Sequence, residues 1–63
     1  MLFIQKQVSP KTNKEYRALF LSIGGRNVLL SFDSQLLMRL ASIVKNHYVD
    51  FDELSQIDYL EII

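Results

Sequence analysis

Apolar positions are densest between Tyr16 and Leu40, and the first part of this stretch lies on either side of Gly24-Gly25. Period-two alternation predicts strands, so Tyr16–Ile23 and Arg26–Phe32 are expected to form a β-hairpin about Gly24-Gly25, with either Gly24-Gly25 or Gly25-Arg26 at its corner. With two residues in the turn, odd positions before it share a face with even positions after it. That collects Leu19, Leu21, Ile23, Val28, Leu30 and Phe32 on one side, whereas a three-residue turn scatters them, so the pattern selects the shorter turn. The other side carries Tyr16, Ala18, Phe20, Ser22, Asn27, Leu29 and Ser31, a mixture of aromatic and small polar groups.

After Phe32 the period changes to that of a helix. Leu36, Leu37, Leu40, Ile43 and Val44 make one apolar stripe, with Gln35, Arg39, Ser42 and Lys45 off it. Asp33 is the expected N-cap, with Phe32 and Leu37 as a hydrophobic staple around it. Asn46 suits a left-handed closing residue, with Lys45 and His47 at the negative helix end. The stripe is expected to cover the Leu/Ile/Val face of the hairpin, with Leu21, Leu30, Leu36 and Leu40 meeting beneath the helix.

Upstream, Leu2–Val8 reads as a first strand, with Leu2, Ile4 and Val8 alternating against Phe3, Gln5 and Gln7. Lys6 breaks the apolar side, and its ammonium is expected to extend past the sheet edge and discourage strand addition. Ser9 to Lys14 is turn-rich through Pro10 and Asn13. Downstream, Asp50 with Glu53 resembles a capping box, and Val49 with Leu54 a second staple, so a short helix is expected from Phe51 to about Ile57. The tail from Asp58 to Ile63 suits either a continuation of that helix, the preferred reading, or a fourth strand. The fold class is therefore α+β: a three-stranded antiparallel meander packed on one main helix, with a short C-terminal helix or fourth strand, in one domain spanning residues 1–63.

Composition narrows what such a domain can be. It has 63 residues and no cysteine, so neither disulfides nor thiolate-bound zinc supports it, and 49% apolar content makes self-association the expected source of added stability. Charge is segregated although the total is zero. Residues 1–32 carry Lys6, Lys11, Lys14, Arg17 and Arg26 against Glu15 alone, a net +4. Residues 33–63 carry Arg39 and Lys45 against Asp33, Asp50, Asp52, Glu53, Asp58 and Glu61, a net −4. Neither a signal peptide nor a run approaching the ~20 apolar residues of a membrane span is apparent, so a cytoplasmic, non-membrane protein is expected.

Candidate chemistry is sparse. His47 is the only histidine and, with loop carboxylates alone around it, falls short of a metal-ligand set. Ser22 and Ser31 are strand residues without a base in view, and the acidic residues of the second half read as a solvated face. Gly24-Gly25 joins two strands and lacks the lysine of a phosphate loop. No enzymatic activity, cofactor or metal is expected. A helix-turn-helix reader is rejected because its second helix, starting Phe51-Asp52-Glu53, repels phosphates.

One helix covers one sheet face, which leaves the other, with Phe3, Tyr16, Phe20 and Leu29, for residues 51–63, a second copy or a partner. The expected function is a small non-enzymatic interaction module of inhibitor or adaptor type, occupying a partner protein's surface as a homodimer. The alternative is a single-stranded nucleic-acid binder, stacking bases on Phe3, Tyr16 and Phe20 with Lys11, Lys14 and Arg17 toward the phosphates.

Overall fold

A computed structural model describes all 63 residues, Met1–Ile63. The elements are β1 (Leu2–Val8), β2 (Glu15–Ile23), β3 (Arg26–Ser31), α1 (Ser34–Lys45), α2 (Phe51–Leu54) and β4 (Tyr59–Glu61). The α+β class holds, but the sheet has four strands, antiparallel throughout, in the order β3-β2-β1-β4.

The hairpin forms as its sequence dictates. Ile23 pairs with Arg26 across Gly24 and Gly25, whose φ angles of +58° and +78° are those of a type I′ turn. Leu21 then lies opposite Val28, as expected. Beyond that the register slips: Phe20 faces Leu29, but Leu19 faces Ser31, so Leu30 is an extra residue in β3. This bulge reverses the facing of the residues after it. Phe32, expected on the helix side with Leu30, instead sets its ring edge-on to Tyr16 with centroids 6.3 Å apart.

The β1–β2 connection closes through hydrogen bonds from Ser9 N–H to Lys14 O (2.9 Å) and Asn13 N–H to Ser9 O (2.8 Å). Asn13 there takes φ +57°. The end of α1 is also as expected, with Asn46 at φ +59°. Its start is not. Asp33 occupies the N-cap position, but its carboxylate accepts no capping hydrogen bond; its own N–H donates to Ser31 Oγ at 3.1 Å, in the compact link between the bulge and the helix.

α2 ends at Leu54, short of the expected Ile57, and half of the expected capping box forms: Glu53 N–H donates to Asp50 Oδ1 at 2.8 Å, but the Glu53 carboxylate turns to His47 and Lys45 instead; Val49 and Leu54 are both buried. The preferred helical reading of the tail is overturned. Tyr59–Glu61 is a strand, with Phe3 opposite Glu61, Ile4 opposite Leu60 and Gln5 opposite Tyr59. β1 is thereby an inner strand, which also overturns the edge-guard reading of Lys6. Its N–H donates to Asp58 O at 2.9 Å, while its ammonium lies 3.7 Å from both Glu15 and Asp58.

The core is built on one side of the sheet from Ile4, Leu19, Leu37, Ala41, Val49, Leu54 and Ile57. Of the residues expected there, Leu40 packs against this cluster and Leu21 is half-buried, whereas Leu30 (49% exposed) and Leu36 (38%) face solvent. The α1 stripe is wider than one contact, and the loop and α2 select which part of it is used. Ser42 Oγ accepts the N–H of buried Val49 at 2.9 Å, and Lys45 pairs with Glu53 at 3.5 Å. These contacts draw the Leu37–Ala41 side inward and leave Leu36, Ile43 and Val44 exposed.

Candidate interaction surface

Both helices pack on the same side of the sheet, since Leu37 and Leu54 share a cluster with Ile4 and Leu19. The opposite side therefore has no helix above it. Cross-strand pairing aligns its residues: Phe3 with Phe20, Gln5 with Ala18 and Gln7 with Tyr16, then Phe20 with Leu29 on the outer strand. The expected contact residues Phe3, Tyr16, Phe20 and Leu29 are thus brought onto one face.

Phe3 is the floor of this face. Its ring stacks on Phe20 with centroids 5.5 Å apart and planes 20° from parallel, and Tyr59 approaches equally closely from the other side. Those neighbours leave Phe3 only 4% exposed without any overlying element. Phe20 is half-buried, and Tyr16, Leu29 and Tyr59 are exposed. Offset ring pairs of this kind gain about 0.5–1.5 kcal/mol beyond their area, so the row is a stiff platform.

Two members were missed from the sequence. Tyr59 arrives because β4 pairs with β1, and Phe32 because of the bulge, which leaves it 68% exposed beside Tyr16. The alternation of Tyr59, Leu60 and Glu61 was a signal for the first; nothing local signalled the second.

The expected basic residues divide. Lys14 lines a shallow hollow of about 470 Å³ together with Ser9, Thr12, Glu15, Tyr16, Leu29 and Phe32. Lys11 is exposed in the connecting loop. Arg17 is not brought to this face: its Nε donates to Ile57 O at 2.8 Å, and its terminal nitrogens lie 3.7 Å from Glu15 and 4.0 Å from Asp58. It fastens the α2–β4 segment to β2 on the helix side.

His47 is held at the end of α1, with Nε2 2.8 Å from Glu53 and Nδ1 3.2 Å from Lys45 O. Glu53 thereby ties the α1 terminus to α2. No group of three or more histidine, cysteine or carboxylate side chains is gathered as a metal would require. No helix is long and apolar enough to cross a membrane. Neither a family model, nor a curated protein, nor a solved structure matches the chain.

Proposed function

We propose that the chain is a small non-enzymatic binding module, of inhibitor or adaptor type, that occupies the surface of a partner protein. It works in the cytoplasm as a homodimer, and the helix-free face of the sheet is what each copy presents to that partner. One observation carries this reading: α1 and α2 share one side, so the rings of Tyr16, Phe20, Phe32 and Tyr59, with Leu29, line the other side around buried Phe3. Strand alternation ordinarily supplies polar residues on a solvated sheet face. Rigid aromatic rings are instead what concentrates binding energy at protein interfaces, where a well-buried anchor is worth about 2 kcal/mol or more.

The test uses Phe20→Ser and Phe32→Ser, compared with wild type in capture from extracts of the native source and then in titration against the captured protein. Phe32 is the more informative, because its exposure separates loss of binding from loss of folding. Each variant, shown to be folded by circular dichroism, is expected to bind at least about tenfold more weakly. Undiminished capture by both folded variants would refute the assignment of this face.

A second reading rests on Lys14, which shares the hollow with Tyr16 and Phe32 and gives that end of the platform a cation beside an edge-on pair of rings. Single-stranded nucleic acid is bound by this combination elsewhere. With Arg17 engaged on the other side, few cations remain to track a backbone. A mobility shift with single-stranded DNA and RNA at low salt distinguishes the readings: tight binding that falls steeply with salt replaces the protein-partner proposal, and absence of binding supports it.

A further inference from the structure

β3 is exposed along its length except at Ser31, and its outer edge carries unmet main-chain groups. Their identity is set by the ladder. Met1 and Ser22 exchange hydrogen bonds (Ser22 N–H to Met1 O at 2.7 Å, the Met1 amino group to Ser22 O at 3.1 Å), so even residues of β2 point their main-chain groups toward β1 and odd ones toward β3. Ile23 and Leu21 therefore bond Arg26 and Val28, and the N–H and C=O of Asn27 and Leu29 point away from the sheet. Such an edge is a template for another strand, and proteins that do not use it normally cover or charge it. Here the residues between Arg26 and Asp33 are all uncharged. Beside them on the helix side, Ile23 and Val28 are exposed, as are Leu36 and Val44 on the flank of α1 opposite Ser42 and Lys45.

We infer that two copies of the chain join edge to edge through β3, as antiparallel strands about a two-fold axis at Val28. This rests on the reading that the protein is a homodimer and locates the interface away from the aromatic face. Charge selects a second copy as the occupant. Arg26 opens the strand and Asp33 lies just past its end, so antiparallel pairing sets Arg26 of each copy opposite Leu30 of the other, three residues from its Asp33, twice over by symmetry. Parallel pairing would instead set like charges side by side. The outward groups require odd residues to face odd ones, and the register that engages both outward residues of each copy sets Asn27 of one opposite Leu29 of the second, with Val28 facing its own equivalent. Two β-branched side chains in direct opposition suit a sheet. The bulge at Leu30 ends the pairing there, and the apolar flanks of the two α1 helices lie on the same side as the Val28 pair.

The full chain is measured by sedimentation equilibrium over a wide concentration range. Asn27→Pro removes an outward N–H that the monomer does not use, and it should raise the dimer dissociation constant at least about tenfold. Arg26→Asp and Asp33→Arg should each weaken the dimer about three- to tenfold, and the two together should return it to within about threefold of wild type. Phe20→Ser should leave it intact. A dimer insensitive to Asn27→Pro and to both charge reversals, or one abolished by Phe20→Ser, overturns the β3 interface while sparing the homodimer. A wild-type chain that stays monomeric at the highest concentration refutes the homodimer as well, without touching the capture result for the aromatic face.

Discussion

Leu37→Ala and Leu30→Ala test where the core lies, because sequence periodicity places both leucines inside whereas the folded chain buries only Leu37. Leu37 is 1% exposed among Ile4, Leu19, Ala41, Val49, Leu54 and Ile57. Truncation to alanine deletes three carbons, worth about 2.4 kcal/mol at roughly 0.8 each, and the residual cavity raises the expected loss to about 3–5 kcal/mol. Leu30 keeps about half its surface in water, so the same truncation there should cost about 1 kcal/mol. A domain of this length has a total stability of roughly 3–9 kcal/mol. Leu37→Ala should therefore be largely unfolded or melt at least about 12 °C lower, and Leu30→Ala about 4–8 °C lower. Urea and thermal melts monitored by circular dichroism measure both. They are best run at the lowest workable concentration, so that loss of association does not add to the Leu30 value. Equal losses at the two sites, or a larger one at Leu30, would refute the packing of α1 through its Leu37–Ala41 side.

Ser42→Ala leaves the buried N–H of Val49 without its acceptor, and urea denaturation should report a loss of about 1–3 kcal/mol, far above that of an exposed helix serine. Arg17→Met keeps the apolar stem but removes the donor to Ile57 O; the expected cost is about 1–3 kcal/mol, with faster amide exchange across β4 than across the hairpin. Replacing Gly24 and Gly25 with valine should lower the melting point by at least about 10 °C, since both sit at positive φ, and an unchanged melt would show that the turn can take another form.

How legible each element was in the chain depends on how it is encoded. The hairpin was readable because two glycines and a long alternation jointly fix a register, and Asn46 and Asp50 were readable because helix ends need particular residues. Phe32 was misassigned because one extra residue at Leu30 reverses facing, and a bulge without glycine leaves no mark in composition. The α1 stripe was correct as a set, but its width admitted more than one inward side. Contacts made far along the chain, at Val49, Leu54 and Ile57, decided among them. The three-residue strand at Tyr59 is too short for period two to compete with period 3.6. The aromatic face came through for the opposite reason: Phe3, Tyr16 and Phe20 lie in strands whose facing depends only on alternation and one turn. Arg17 was a candidate for the phosphates by its charge alone; the same parity puts this odd residue of β2 on the helix side, where it is found.

The pairing of β1 with β4 joins the first strand to the last, with nearly the whole chain between them. As a polypeptide emerges in order, β1, β2 and β3 can associate early, but the sheet stays incomplete until β4 follows. Until then β1 is a temporary boundary, and Lys6 is its single charged residue. The side chain that ends up bridging Glu15 and Asp58 is thus also what stands, during synthesis, between an unfinished sheet and pairing with a neighbouring nascent chain. Lys6 serves the growing chain as a guard and the finished one as a tie.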